Sequence, residues 1–152
     1  MKTTNILQLL KPKALIAYIY EDATVRQAIE KMRRSGFTAV PVINRNGEYV
    51  KAIAEGDFLW FMMTHDTANL SKLENYKVSD IPKRVVCEPV YVYSTIEDLF
   101  KLSMNQNFVP VVDDRSVFIG IVTRKDILQV CYEKLKDSEA FLSVHEYERE
   151  DI

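Results

Sequence analysis

The sequence contains one arrangement of segments twice, and this internal repeat limits the possible folds more than any other feature. Pro41 and Asp57 are separated by 16 residues, as are Pro110 and Asp126. In each window an apolar strand is followed by a polar turn, a second apolar strand and an aspartate that begins an apolar helix. The two windows share an offset of 69 residues, which indicates a duplicated structural unit.

A strand and a helix precede this window in each half of the chain. The helix predicted to begin at Thr24 has apolar residues at i, i+3, i+4 and i+7, and Gly36 ends it. The matching helix begins at Thr95, an offset of 71, and the preceding strands, 17–20 and 90–93, match at 73. The predicted unit is therefore strand, helix, strand, strand, helix, used twice.

The repeat divides the chain into a first domain over residues 5–63, a linker over 64–77, a second domain over 78–135 and an acidic tail over 136–152. Residues 137–152 contain six acidic residues against the single base Arg149, which is typical of a solvated or partner-bound terminus. Neither domain is long enough to cover both faces of its small sheet. We therefore expect an α+β fold in which the two domains pack about a pseudo-twofold axis.

The composition fits a single globular protein and argues against several functional classes. The 152 residues are 47% hydrophobic and 28% charged, and the net charge of −2 gives no general attraction to nucleic acid. No apolar run has the length of a membrane span, and the N-terminus lacks a secretory signal, so we expect a cytoplasmic protein. The two histidines and two cysteines have no partners at metal-ligand or catalytic spacing. We expect no metal, no cofactor and no enzymatic activity.

Thr123 and Asp126 lie where the last strand of the second repeat meets a helix. Thr123 can accept hydrogen bonds from the first N–H groups of that helix, and Arg124 and Lys125 add positive charge beside it. A helix start of this kind can bind an anion. The same Thr-x-x-Asp spacing also forms a capping box, which would need the two residues for stability alone. The motif by itself leaves both interpretations open.

Each repeat resembles a cystathionine-beta-synthase (CBS) domain, and the pair resembles a stand-alone Bateman module over residues 5–135. The resemblance depends on Gly36–Val42 and Val109–Val112 in the middle strands and on Gly120–Asp126 at the final turn. The chain is similar to the small bacterial CBS proteins that bind cyclic di-AMP. This similarity implies a regulatory sensor of adenine nucleotides, with cyclic di-AMP favoured over AMP, ADP or ATP.

The resemblance also implies a ligand site in the cleft between the repeats. The base would lie against the first and middle strands of repeat one, and the sugar and phosphate against the Thr-x-x-Asp turn of repeat two. The residues expected at the base are Ala17, Tyr18, Phe37, Thr38, Ala39, Val40 and Pro41. The residues expected at the ribose and phosphate are Thr123, Arg124 and Asp126. A carboxylate can accept from ribose hydroxyls, while the helix start and a guanidinium can bind phosphate.

The mirror-image cleft departs from this pattern. Its expected residues are Asp57, Phe108 and Pro110. Repeat one has Lys51, Ala54 and Glu55 where repeat two has Gly120, Thr123 and Arg124. The hydroxyl is lost, and the carboxylate of Glu55 would repel a phosphate. We therefore expect one competent nucleotide site and a second that is weak or empty.

These observations predict a sensor that forms a homodimer and changes its fit to an unidentified protein partner when a nucleotide binds. The alternative is a ligand-free interaction module that recognises its partner through the acidic tail or through the helix containing Trp60. That helix is apolar almost all round, and the corresponding helix of CBS domains commonly faces a partner module. Part of it is therefore expected at a dimer surface.

Overall fold

The computed structural model describes residues 4–138, so most of the predicted acidic tail lies outside the described residues. A short strand, β1 (Lys11–Pro12), precedes the first repeat. The first repeat contains β2 (Ile19–Tyr20), α1 (Val25–Ser35), β3 (Ala39–Ile43), β4 (Tyr49–Ala54) and α2 (Glu55–Thr64). The second contains β5 (Val90–Tyr91), α3 (Ile96–Ser103), β6 (Phe108–Val112), β7 (Phe118–Thr123) and α4 (Arg124–Lys136). The α+β fold with the predicted order of elements in each repeat is confirmed.

Two small mixed sheets hold the strands. One has the order β2-β3-β4, and the other has the order β1-β7-β6-β5. In the first repeat β2 runs parallel to β3, while β3 and β4 are antiparallel. In the second repeat β5, β6 and β7 have the same arrangement. The sheets therefore differ only in β1, which adds an antiparallel strand at the edge of β7.

The register of the first strands corrects one detail of the sequence comparison. Ile19 pairs with Val42 and Val90 pairs with Val111, so these strands are equivalent at an offset of 71, and the expected offset of 73 is wrong. The alternating tyrosines of the two strands produced the incorrect match. β2 begins two residues later than predicted and ends at Tyr20 as predicted, whereas β5 ends two residues early, at Tyr91. In both repeats the residue three positions after this last tyrosine donates its N–H to the tyrosine carbonyl, which turns the chain.

The helix ends follow the local capping signals. The side chain of Thr24 accepts from the N–H of Gln27 at 3.1 Å, and the Gln27 side chain accepts from the N–H of Thr24 at 3.0 Å. Gly36 ends α1 with a φ of +71°, a conformation that favours glycine. α2 begins two residues before Asp57, where the sequence predicted its start, because Asp57 occupies the third helical position and accepts from the N–H that precedes the helix.

The segment before each repeat packs on the other repeat. Ile6 is buried in the core of the second repeat, and β1 joins the sheet of that repeat. Conversely, Leu73 of the predicted linker and Val78, the first residue of the predicted second domain, are buried in the core of the first repeat. Each core is therefore completed by a segment that leads into the opposite repeat. We expect the two repeats to unfold together, since the loss of one removes packing from the other.

Equivalent residues of the two repeats meet at the centre of the molecule. Glu48 forms a backbone bridge with Val117, its equivalent at an offset of 69. Tyr49 lies beside its own equivalent, Phe118, with ring centroids 6.3 Å apart. Residues that contact their own equivalents lie on a twofold axis. The two repeats therefore pack about the predicted pseudo-twofold axis.

Candidate functional site: two clefts between the repeats

The first cleft lies where β2 and β3 separate. Their parallel pairing is limited to two residue pairs, at Ile19 and Tyr20. The chain before β2 and the first half of β3 therefore form two walls of a slot. Ile121 and Thr123 of β7 contribute to it from the second repeat. The cavity has a volume of about 380 Å³, which is within the range of small-molecule sites.

The structure brings seven of the ten predicted site residues together in the wall of this cavity. They are Ala17, Phe37, Thr38, Ala39, Val40, Pro41 and Thr123. The wall also contains residues that the sequence did not place in this cleft, namely Lys11, Leu15, Ile16, Asn107, Phe108 and Ile121. The first cleft is therefore built from both repeats and from the N-terminal segment. The N-terminal contribution follows from the pairing of β1 with β7, which no local sequence pattern indicates.

Large apolar side chains border the first cleft. Leu15 is 80% exposed and Phe37 is 55% exposed. Thr38 and Thr123 add hydroxyl groups, and Lys11 adds the positive charge among the lining residues. A flat apolar ligand that carries an anionic group matches this combination of surfaces.

Asp126 contacts the cleft wall through two of its members. Its Oδ2 accepts from the Thr123 hydroxyl at 2.8 Å and lies 3.6 Å from the Lys11 ammonium. The Thr123 hydroxyl also accepts from the N–H of Asp126 at 3.2 Å, which caps α4. Thr123 therefore caps α4 through its hydroxyl, and Asp126 bonds to that hydroxyl rather than to the Thr123 N–H as in a full capping box. Both side chains lie beside the cavity.

Tyr18 and Arg124 do not line the first cleft. The centroid of the Tyr18 ring lies 5.7 Å from that of the Tyr20 ring. The ammonium groups of Lys13 and Lys31 lie 5.0 and 4.7 Å from the Tyr18 centroid. Arg124 Nε instead donates to two backbone carbonyls around the end of α3, Ser103 O at 2.7 Å and Gln106 O at 3.1 Å. Arg124 is the first residue of α4 and Asp126 is the third. Residues two positions apart point to opposite sides of a helix.

A second cleft occupies the pseudo-symmetric position. Its cavity also has a volume of about 380 Å³. Of the residues predicted there, Asp57 and Phe108 line it, and Pro110 does not. The wall shared by the two clefts consists of Ala39, Asn107 and Phe108. Ala39 and Phe108 are equivalent at the offset of 69, so the starts of the two middle strands form the partition.

Glu55 and Lys51 have surroundings that the sequence did not predict. Glu55 lines a separate surface groove between α1 and α2, together with Arg33 and Phe58, and is absent from the second cleft. Lys51 is 7% exposed, and its ammonium donates to Val78 O at 3.2 Å and to Ile81 O at 2.5 Å. Burial lowers the pKa of Lys51. The repulsion expected from Glu55 does not act inside the cleft.

Arg84 is the cation of the second cleft that sequence reasoning missed. Its Nη1 lies 3.8 Å from Asp57 Oδ1 and donates to Gly56 O at 3.3 Å. The centre of its guanidinium lies 5.4 Å from the Trp60 ring centroid. A sequence signal for Arg84 was present, because a basic stretch precedes the first strand of each repeat. Arg84 corresponds to Lys13 in these stretches at an offset of 71.

Residues 4–138 contain no group of three or more His, Cys, Asp and Glu side chains arranged to hold a metal ion. Nor does any helix within this range have the length and apolar character needed to cross a membrane. Cys87 and Cys131 are free thiols, and burial raises the pKa of Cys87.

Comparisons with known proteins agree with this architecture. The CBS domain family matches residues 13–64 and 78–133. The uncharacterized protein MJ1426 of Methanocaldococcus jannaschii is 30% identical in an alignment 142 positions long that covers 73% of this chain and 83% of that protein.

Solved structures show the same fold. CbpB, in complex with c-di-AMP, superposes with a TM-score of 0.77 at 22% identity and covers 89% of each chain. CBSX2 of Arabidopsis thaliana, in complex with AMP, superposes with a TM-score of 0.65 at 23% identity and covers 83% of this chain and 94% of that one. The chain belongs to the CBS domain family and contains two copies of the domain in tandem.

Proposed function

We propose that this protein is a non-catalytic cytoplasmic sensor that binds an adenine nucleotide in the first cleft and thereby changes its fit to a protein partner. The observation that carries the proposal is the cavity of about 380 Å³ whose wall contains seven predicted ligand residues from both repeats. A ligand that contacts both repeats can alter their relative arrangement. Regulation requires that the ligand bind two such arrangements with different affinity.

The groups of the first cleft match the parts of a nucleotide. Ala17, Ala39 and Val40 form apolar walls for a base at the point where the parallel strands separate. A phosphate can accept from the Thr123 hydroxyl by replacing Asp126 Oδ2 as the acceptor of its proton. Lys11 supplies the positive charge that the sequence assigned to Arg124. Asp126 lies beside both groups and can accept from a ribose hydroxyl.

Cyclic di-AMP is the first candidate ligand, with AMP, ADP and ATP next. Structures of this fold have been solved with c-di-AMP, in CbpB, and with AMP, in CBSX2. The preference for cyclic di-AMP follows the sequence resemblance to the small bacterial CBS proteins that bind it. The geometry of the first cleft agrees with both ligand classes, since each needs an apolar slot for adenine and a cation with hydroxyl groups for phosphate.

The homodimer remains part of the proposal. Leu59 and Met63 of α2 are 51% and 63% exposed, and Leu128 of α4, the equivalent of Leu59, is 49% exposed. Exposed apolar side chains at equivalent places on two helices form a surface that a second copy of the chain could cover. These side chains also support the alternative function, a ligand-free interaction module, in which the helices alone recognise the partner.

Nucleotide binding separates the two functions. Thermal unfolding of the purified protein is measured with AMP, ADP, ATP and cyclic di-AMP. A ligand at about a hundredfold excess over its dissociation constant adds about 2.7 kcal/mol to the free energy of unfolding. Asp126→Ala is expected to abolish the shift and to retain the fold, whereas Asp114→Ala, a change of the same kind in an exposed turn, keeps the shift. Absence of any shift in the wild type would leave the interaction module as the function.

Turnover of a nucleotide during incubation would contradict the non-catalytic assignment.

A further inference from the structure

We propose that the apolar residues Phe141, Leu142 and Val144 of the acidic tail dock on their own chain, in a groove beside the end of α4. The three residues lie outside the described part of the chain, whereas the surface that receives them is described. The docked tail also restrains the segment that precedes the first repeat and forms a wall of the first cleft. Only this second step rests on the nucleotide-binding function proposed above.

The groove lies on the second repeat and has a volume of about 590 Å³. Its apolar lining comes from Val92, Tyr93 and Ile96, and Lys134 of α4 forms part of its wall. It shares no lining residue with either cleft. We call it the tyrosine groove, and it is a surface that the nucleotide-binding function does not use.

Tyr93 presents an aromatic surface that residues 4–138 leave uncovered. It is 73% exposed, more than any other aromatic residue in that range. Its ring stacks on the ring of Tyr91, with centroids 5.3 Å apart and planes inclined by only 2°. One face of the Tyr93 ring is therefore held in place by the stack. The ring offers a preformed contact for a further aromatic or aliphatic side chain, whose burial is favourable.

The end of α4 brings the tail to the tyrosine groove. Lys134 lines the groove and lies about one helical turn before Ser138. The N–H and the hydroxyl of Ser138 both donate to Leu135 O, at 3.1 and 2.7 Å, so the chain continues the helical turn up to this residue. Phe141 and Leu142 follow three and four residues later, which is within about 10–14 Å at full extension. The apolar residues can therefore reach the groove of their own chain.

The charges of the tyrosine groove suit an acidic segment. Glu97 is already paired with Lys101 of α3, with Oε1 and Nζ 3.0 Å apart. Lys134 has no ion pair with any residue of the range 4–138. Asp137 and Glu139 flank the point where the tail leaves α4, and either carboxylate can approach Lys134. Because an exposed ion pair contributes little, the burial of the apolar residues is the main driving force.

Residues 4–12 connect the tyrosine groove with the first cleft. Thr4 and Asn5 line the groove. Ile6 is buried in the core of the second repeat, and Lys11 pairs with β7 and lines the first cleft. A tail that docks against Thr4 and Asn5 therefore restrains a segment whose other end contacts the nucleotide. By linkage, tail docking and nucleotide binding strengthen each other.

Cross-linking tests the docking in the full chain. Ser94→Cys places a thiol in the tyrosine groove and Ser143→Cys places one among the apolar residues, while Cys87→Ser and Cys131→Ser remove the native thiols. After mild oxidation, free thiols are captured with a maleimide, and the products are separated by non-reducing electrophoresis. The expected product is an unmodified monomer, which contains an intramolecular disulfide. Ser79→Cys in place of Ser94→Cys is the matched control, because Ser79 is exposed and does not line the groove.

Phe141→Ser combined with Leu142→Ser is the decisive variant. It should slow the intramolecular cross-link about tenfold or more, as expected when the burial of large apolar side chains is lost. Only the tether then brings the two thiols together. Tyr93→Ser, on the groove side, should slow the reaction by a similar factor. Tyr147→Ser, a change of the same kind farther along the tail, should leave the rate unchanged.

Nucleotide binding supplies the second measurement. Cyclic di-AMP or AMP, at a concentration that shifts thermal unfolding, should speed the cross-link in the chain that retains Phe141 and Leu142. The variant that lacks both side chains should bind the same nucleotide more weakly.

The possible failures are distinguishable. Equal cross-linking rates with and without Phe141 and Leu142, or a covalent dimer as the main product, would overturn docking within one chain and leave the sensor function standing. If nucleotides shift thermal unfolding but do not change the cross-linking rate, the connection to the first cleft is overturned and the docking stands. If no nucleotide shifts thermal unfolding, the sensor function fails, and the cross-link alone decides whether the tail docks.

Discussion

The backbone carbonyl of Lys11 lies in the space that a Cβ atom on Gly120 would occupy. β1 and β7 can pair at this point because residue 120 has no side chain. Because Lys11 also lines the first cleft, the close approach of β1 to Gly120 positions one wall of that cleft. The glycine that the sequence assigned to the final turn motif is therefore explained by packing of the N-terminal segment.

Gly120→Ala is expected to displace β1 and to weaken nucleotide binding in the first cleft. The added methyl group meets the Lys11 backbone and the Leu10 side chain, and such overpacking costs roughly 1–3 kcal/mol. Urea unfolding and ligand titration measure the two effects. Gly56→Ala serves as the control, because its Cβ would make an ordinary contact at 3.6 Å with Arg84. An unchanged urea midpoint for Gly120→Ala would contradict this close approach.

Ala39→Leu is expected to block both clefts, because Ala39 lines the wall that they share. Two matched variants separate the cavities: Ala17 lines only the first cleft and Ala52 only the second. Ala17→Leu should abolish the nucleotide shift attributed to the first cleft, and Ala52→Leu should leave that shift unchanged. Circular dichroism confirms that each variant is folded. If Ala39→Leu binds nucleotides like the wild type, neither cavity is the ligand site.

The repeat, the order of elements and the helix caps could be predicted because their signals are local. The Thr24 cap, the Gly36 termination and the positions of Asp57 and Asp126 depend on residues a few positions apart. Local signals also explain why seven of the ten predicted ligand residues line the first cleft, because most of the seven belong to β3 or to the two residues before it.

The contacts that were missed join distant parts of the chain. The packing of Ile6 on the second repeat and the position of Arg84 at the second cleft depend on segments that cross to the opposite repeat. No periodicity marks such a crossing. Arg124 and Glu55 were expected inside the clefts because they lie next to Asp126 and Asp57 in the sequence. In the structure Arg124 and Glu55 are the first residues of α4 and α2, and the aspartates are the third residues of the same helices. About 200° of helical rotation separates positions one and three, so the two cannot face the same cavity.

Leu59→Glu and Leu128→Glu are expected to weaken the proposed homodimer. Each places a charge in an apolar surface that a second copy would cover, where an unpaired buried charge is strongly unfavourable. Analytical ultracentrifugation at several protein concentrations measures the change in dissociation constant. Tyr93→Glu is the control, since Tyr93 is 73% exposed and belongs to neither helix. Equal dissociation constants for wild type and both leucine variants would place the dimer surface elsewhere.

Lys51→Met is expected to change both the stability and its dependence on pH. Loss of the two bonds from the Lys51 ammonium to Val78 O and Ile81 O should cost about 1–3 kcal/mol at neutral pH. Burial lowers the pKa of Lys51 in the folded protein, and the nearby Asp57 carboxylate only partly opposes this effect. Below the folded pKa both states hold the proton, so the difference between wild type and variant is constant there.

As the pH rises through the folded pKa towards the ordinary lysine value, the folded state releases the proton before the unfolded state does. The unfolded state then binds more protons, so the free energy of unfolding of the wild type rises with pH relative to Lys51→Met. The comparison cancels the contributions of Tyr49 and Cys87, whose pKa values are raised by burial in both proteins. Urea unfolding of both proteins at about pH 7 and about pH 10 measures the difference. A difference that shrinks with rising pH would show that the Lys51 ammonium is stabilised in the folded state, because its contacts with the carbonyls would then outweigh its burial.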